Sequence, residues 1–263
     1  MVAATVGAER TCSDWLGWPQ VEARILAAAL VSIVLAGAAG AGRRDLLPDL
    51  DQRPPDTVSI VVEGSRRLLT FGSATDNRGE GPVIVVGRRD GPLMTVSQII
   101  ERSDGSSYSR PTGAVMRYVR TATHEHWHLI GFERYDLYRA SDHTLVGRSR
   151  KVGFCLGDRY LVPEADRNLL PVYTSECGKN RPDLRRLRAG ISPNFGDDYV
   201  PQKEGQYVDV SDLPPGRYEL VHVANPGGNI LESDHGNNAA SVLVQLPSGK
   251  VLATCPDTDT CPG

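Results

Sequence analysis

Residues 208–246 read VDVSDLPPGRYELVHVANPGGNILESDHGNNAASVLVQL. Two stretches rich in β-branched and apolar side chains, 217–223 and 240–246, flank the turn-former Asn225-Pro226-Gly227 and a polar run that ends in Asn237-Asn238. That alternation of strand-formers and turn-formers predicts two antiparallel strands joined across an acidic, Asn-rich corner. The same grammar extends outward. Short apolar runs stand at 58–62, 68–71, 82–86, 115–119, 129–137 and 208–210. Asn77-Arg78-Gly79, Ser103-Asp104-Gly105, Pro214-Pro215-Gly216 and Ser248-Gly249 punctuate them. Strands at this density predict an all-β dominated chain, an antiparallel β-sandwich with long loops. A few short helices are expected, at 96–102 and 182–188. Between 156 and 191 the pattern is irregular, and a loop of that length usually carries function.

The 29 Lys+Arg against 32 Asp+Glu in 263 residues give a formal net charge of −3. That balance excludes a nucleic-acid partner gripped by a basic surface. The 27 Gly and 18 Pro exclude a helix bundle. Residues 25–42 form an apolar run between Arg24 and Arg43-Arg44, ending in the small-x-small pattern Ala39-Gly40-Ala41. This predicts residues 1–42 as leader and signal peptide, hence a secreted, extracellular protein; left uncleaved, the run would be an N-terminal membrane anchor. Residues 43–57 are polar and contain proline, as expected of a linker. The domain proper is expected at 58–250, with a tail at 251–263. Past the leader stand four cysteines, Cys155, Cys177, Cys255 and Cys261. In an oxidising compartment an even number suggests two disulfides with three possible connectivities, and proximity favours Cys155–Cys177 and Cys255–Cys261.

Three of the six histidines fall within Thr123-His124-Glu125-His126-Trp127-His128. On a strand His124, His126 and His128 project from one face, and Trp127 turns to the other, into apolar packing. A core has no use for three imidazoles side by side, since each needs a polar partner when buried. The pattern therefore points to a metal, and all-imidazole ligation suits copper or zinc. His143, His222 and His235 are isolated and are expected in ordinary structural roles.

His124-Glu125-His126-Trp127-His128 followed by Phe132-Glu133-Arg134-Tyr135-Asp136-Leu137 resembles the copper-binding motif of the lysyl oxidase family. Three further blocks occur in family order: Lys151-Val152-Gly153-Phe154-Cys155-Leu156-Gly157-Asp158; Gly190-Ile191-Ser192-Pro193 with Asp197-Asp198-Tyr199 and Gln206-Tyr207-Val208-Asp209-Val210; and Glu232-Ser233-Asp234-His235-Gly236-Asn237-Asn238. The resemblance covers roughly residues 68–246. It implies that residues 58–250 are a lysyl oxidase-like catalytic domain and that His124, His126 and His128 ligate Cu(II). It implies also that Lys151 and Tyr199 combine into lysine tyrosylquinone, a cofactor made from the protein itself. The activity implied is a copper- and quinone-dependent amine oxidase, of the protein-lysine 6-oxidase type. Such an enzyme converts a primary amine, peptidyl lysine among the candidates, to an aldehyde with O2, releasing H2O2 and NH3. Two departures stand out: fewer cysteines than in the animal enzymes, and a longer stretch between Lys151 and Tyr199.

Read without the resemblance, Lys151 closes a basic run, Arg148-Ser149-Arg150-Lys151. Attack on a quinone needs the neutral amine, which neighbouring Arg148 and Arg150, or burial, would favour. Asp197 and Asp198 are the nearest candidates for a catalytic base, and a hydrated acidic turn accounts for them equally well. Two rival readings use the histidines differently: a secreted β-sandwich that binds copper or zinc without turnover, and a zinc hydrolase with an activated water.

Overall fold

The computed structural model describes residues 42–121 and 125–261. The predicted leader, with its apolar run up to residue 41, and the ligand candidate His124 lie outside the described residues. Strands are joined by turns and loops throughout, with no helix among the described residues.

Three antiparallel sheets share one core. The quoted stretch forms the middle of one: Gly216–Ala224 pairs with Ala239–Leu246 in a register running from Gly216 opposite Leu246 to Val223 opposite Ala239. Glu133–Arg139 with Thr144–Arg148 extends this sheet on one side and Lys250–Cys255 on the other. The second sheet runs in the order Gly153–Phe154, Glu125–Ile130, Ser107–Arg120, Leu93–Arg102, Val83–Asp90, Arg186–Ile191. The third centres on Arg66–Asn77, flanked by Phe195–Tyr199 and Tyr207–Asp209. Arg66–Asn77 lies between layers and is buried along almost its whole length, so its Leu68, Leu69 and Phe71 form a continuous run rather than an alternating one. The contiguous core joins Leu69 and Phe71 to Val83 and Val85, Trp127, Tyr135, Leu220 and Val242.

The fold departs from the sequence expectations in five places. Residues 96–102, expected as helix, belong to the strand Leu93–Arg102, where Met94, Val96, Gln98 and Ile100 are buried at a period of two. That alternation matches a strand's two faces. Residues 182–188 likewise give a turn followed by the strand Arg186–Ile191, paired with Val83–Asp90. The run 129–137 is two strands, because Gly131 takes φ +75° and sends the chain from the second sheet into the first. Residues 43–57, read as linker, contribute Asp45–Leu46 and Leu50–Gln52, and Leu50 is fully buried. The expected tail begins inside the strand Lys250–Cys255.

Both favoured disulfides form. Cys155 bonds Cys177, and Cys255 bonds Cys261, with Cα separations of 5.7 and 5.6 Å.

Candidate functional site

The histidine strand Glu125–Ile130 is held from both sides. Ser107–Arg120 pairs along one edge, with Arg117 opposite His128 and Tyr118 opposite Trp127. On the other edge Gly153 and Phe154 pair with Ile130 and Leu129. The chain after the first disulfide continues that edge: Trp127 N–H donates to Cys177 O at 2.9 Å, and Asn180 N–H donates to Glu125 O at 2.9 Å. The long loop thus braces the strand that carries the imidazoles. Trp127 faces away, as expected, packing edge-on against Tyr118 and donating its indole N–H to Arg181 O at 3.0 Å.

On the opposite face His126 and His128 converge, with their Nε2 atoms 2.7 Å apart. Two imidazole nitrogens aimed at one point form a donor set that a divalent metal fits. His124, the third expected ligand, is not among the described residues, and no group of three metal-binding side chains occurs among those that are. Gly153 closes in on this pair. A Cβ there would lie 2.6 Å from His128 Nδ1, so the glycine is what lets the neighbouring chain pass the ring.

The pairing that sets Gly153 against the histidine strand also fixes Lys151, two residues earlier. Lys151 is 9% exposed. Its Nζ donates to Gly153 O at 3.3 Å and stands 4.1 Å from the centre of the Tyr199 ring. Tyr199 arrives from the third sheet, at the end of Phe195–Tyr199, where it pairs with Ser73. Its hydroxyl accepts from Cys155 N–H at 2.8 Å and donates to Cys155 O at 3.3 Å or Asp197 Oδ2 at 3.4 Å. The Phe154 ring meets Tyr199 edge-on, with centroids 5.4 Å apart and planes at 89°. Lysine and tyrosine, 48 positions apart in the chain, are therefore brought together by a strand pairing and a disulfide-bonded segment.

Burial sets the protonation of this cluster. It lowers the Lys151 pKa to about 8, against the opposing pull of Glu133 and Asp197. Of the two possible causes offered by sequence, burial leads, and Arg148 is engaged with Asp136. Burial also pushes the Tyr199 phenol up, and nearby Asp197 and Glu133 push the same way. Asp197, 1% exposed, has its carboxyl driven well above the usual range by burial, with Arg159 opposing from 3.5 Å. Asp198 is exposed.

Sequence reading missed three members of the site. Glu133 is 2% exposed, accepts from Thr75 Oγ1 at 2.8 Å and from the Tyr135 hydroxyl, and has its pKa raised by burial. Arg159 supplies the cation beside Asp197, and Phe154 supplies the wall behind Tyr199. A signal existed for Glu133 alone: it alternates with Tyr135 and Leu137 on one strand face, which makes it a carboxyl on a core-facing side. The remaining histidines are structural, as expected. His143 stacks on Tyr138 and bonds Glu219 at 2.8 Å, His222 is buried against Tyr135, and His235 pairs with Glu232.

Two clefts open on the cluster. One, of about 440 Å³, is lined by Tyr199, His126, Asp197 and Asp198; the other, of about 350 Å³, by Lys151, His128, Arg117 and Arg150.

The family model described as lysyl oxidase matches residues 86–255, which contain every residue of the cluster named above except Ser73 and Thr75. Protein-lysine 6-oxidase of Gallus gallus is 29% identical over 138 residues, covering 52% of this chain and 30% of its own length. Lysyl oxidase homolog 2 of Homo sapiens is 32% identical over 147 residues, covering 56% of this chain and 17% of its own. Lysyl oxidase homolog 3B of Danio rerio is 30% identical over 177 residues, covering 67% and 17%. The matched region thus spans less than a third of the length of these relatives. With its ordered motifs inside a family match that takes in well over half of its residues, the chain belongs to the lysyl oxidase family.

Proposed function

We propose that the protein is a secreted, copper-dependent amine oxidase acting on primary amines, with a cofactor built from Lys151 and Tyr199. The observation that carries this reading is a buried lysine whose Nζ stands 4.1 Å from the centre of a tyrosine ring, beside two convergent imidazoles. Copper held by His126, His128 and His124, with the quinone from Lys151 and Tyr199, would supply the sink that takes two electrons from the amine and returns them to O2, so that amine, O2 and water give aldehyde, NH3 and H2O2.

The chain's own residues have separate tasks. Burial raises the share of Lys151 present as the free amine to about a tenth at pH 7, the form that can attack an oxidised ring. Cys155 N–H holds the Tyr199 oxygen in place, and Phe154 keeps water from that side of the ring. Asp197 reaches the Tyr199 hydroxyl through Oδ2, and its raised pKa suits a group that must take a proton from substrate and give it back. Two disulfides favour an oxidising compartment, consistent with export. No helix among the described residues is long and apolar enough to cross a membrane.

The test is peroxide release from a panel of primary amines by copper-loaded protein in air. Amine-dependent peroxide that disappears in both Lys151→Met and Tyr199→Phe supports the reading. Peroxide output that persists in Tyr199→Phe, or none from any amine in fully loaded wild type, would contradict it.

A further inference from the structure

The two clefts reach the Lys151–Tyr199 pair from different sides and differ in what they offer a cation. The cleft on the Lys151 side is lined by Arg117 and Arg150, with Glu204 as the only carboxylate among the described residues that line it. The cleft on the Tyr199 side is lined by Asp197, Asp198 and Glu176, with Arg159 and Lys203 as its cations. Some of these charges are already committed. Arg159 lies 3.5 Å from Asp197 Oδ1, and Glu176 pairs with Lys179 at 2.9 Å. Asp198 is exposed and makes no side-chain hydrogen bond or ion pair with the described residues.

A second, independent observation singles out the same wall. Asp197 is 1% exposed, yet its Oδ1 has no hydrogen-bond partner. A buried carboxylate oxygen left without a donor is costly unless something brings one. An ammonium group has three N–H donors and no acceptor, so it complements this wall and is repelled by the arginine-lined one.

We infer that the amine docks through the Tyr199-side cleft, with Asp197 Oδ1 accepting a hydrogen bond from the reacting nitrogen. Asp198 at the rim then selects amines that carry a second positive charge. The inference rests on the proposed amine oxidase function and deepens it, naming the side of entry and the residue that sets specificity. Lys203 lines the same cleft and opposes the incoming charge. Its neutralisation therefore has the opposite effect to loss of Asp198.

The experiment uses full-length, copper-loaded protein and two probes that differ by one charge, 1,5-diaminopentane and pentylamine. KM is measured for each, alongside calorimetric binding of the diamine to Tyr199→Phe, which reports docking without turnover. The expected result is a KM and a Kd for the diamine raised about three- to tenfold in Asp198→Asn and further in Asp198→Lys. The pentylamine KM should move less than twofold in Asp198→Asn, and the diamine KM should fall in Lys203→Gln. Raised ionic strength should shrink the diamine preference. Arg150→Glu should leave the diamine KM within about twofold. An Asp198→Lys protein that binds and turns over the diamine as wild type does overturns the inference, and so does a diamine KM that moves more in Arg150→Glu than in Asp198→Lys. Diamine binding that depends on Asp198 in a protein without oxidase activity would support the docking site and sink the function instead.

Discussion

Glu232 and Asp197 are both sealed from solvent, 4% and 1% exposed, and the protein treats them in opposite ways. Glu232 is saturated. Its Oε1 accepts from Asn225 at 2.6 Å and Asn238 at 2.8 Å, with His235 3.0 Å away, and its Oε2 accepts from Leu50 N–H at 3.0 Å. Asp197 has one long bond, from the Tyr199 hydroxyl at 3.4 Å, and an oxygen that meets only a cation at 3.5 Å. Burial raises both pKa values, and on Glu232 the three donors work against it. One carboxylate closes the Asn-rich corner onto the strand at Leu50. The other keeps capacity in reserve where a substrate would arrive. Unmade bonds, rather than burial alone, separate the carboxylate proposed to react from the structural one.

Isosteric substitution should split the two most sharply. Asp197→Asn is expected to lower kcat per copper by about 100- to 1000-fold, as loss of a general base does, while leaving the melting temperature unchanged or higher. Glu232→Gln is expected to leave kcat intact and cost about 1–3 kcal/mol of stability, measured by urea unfolding, because amide nitrogen now faces amide donors. Reversal of that pattern would break the comparison.

Lys151 extends the contrast to a cation. A pKa lowered from 10.5 to about 8 corresponds to about 3 kcal/mol of destabilisation wherever the folded lysine is still charged. In protein kept free of copper, where Lys151 is still an amine, Lys151→Met should therefore gain about 3 kcal/mol below pH 8; loaded with copper, it should form no cofactor. Between pH 8 and 10.5 the unfolded lysine holds its proton and the folded one does not, so wild-type stability rises with pH and the gap to Lys151→Met closes. Unfolding curves at pH 6.5 and 10 check this; a gap that stays constant or widens refutes the buried-amine account. The same titration predicts that cofactor assembly accelerates with pH and levels off above about 8.

The smallest effect is expected at Gly153. A methyl group there meets His128 Nδ1 at 2.6 Å, so Gly153→Ala should displace the ring and weaken copper about tenfold in a chelator competition. Unaltered affinity would mean that His128 is not positioned by this contact.

The sequence made some of this legible and hid the rest for physical reasons. Strand alternation told which way His126, His128 and Trp127 face, because that depends only on local backbone geometry. The pairing of Lys151 with Tyr199 rested on ordered family blocks, since no local pattern predicts a contact across a loop of that length. Sequence alone does not decide between arginines and burial as the cause of the lysine's lowered pKa, because burial, the leading cause, depends on tertiary packing. Glu133 is legible in the sequence only as a core-facing carboxyl, and what partners it there depends on Thr75, far along the chain, which donates to it. Residues 43–57 follow the same rule. Their composition is that of a linker, yet Leu50 N–H bonds to Glu232, 182 positions away.

The most direct test of the central claim is mass spectrometry of protein loaded with copper in air, treated with phenylhydrazine and digested. The account predicts one cross-linked species joining the peptides of Lys151 and Tyr199 and carrying the hydrazone. Separate, unmodified Lys151 and Tyr199 peptides from fully copper-loaded protein would contradict it and leave a metal-binding β protein in its place.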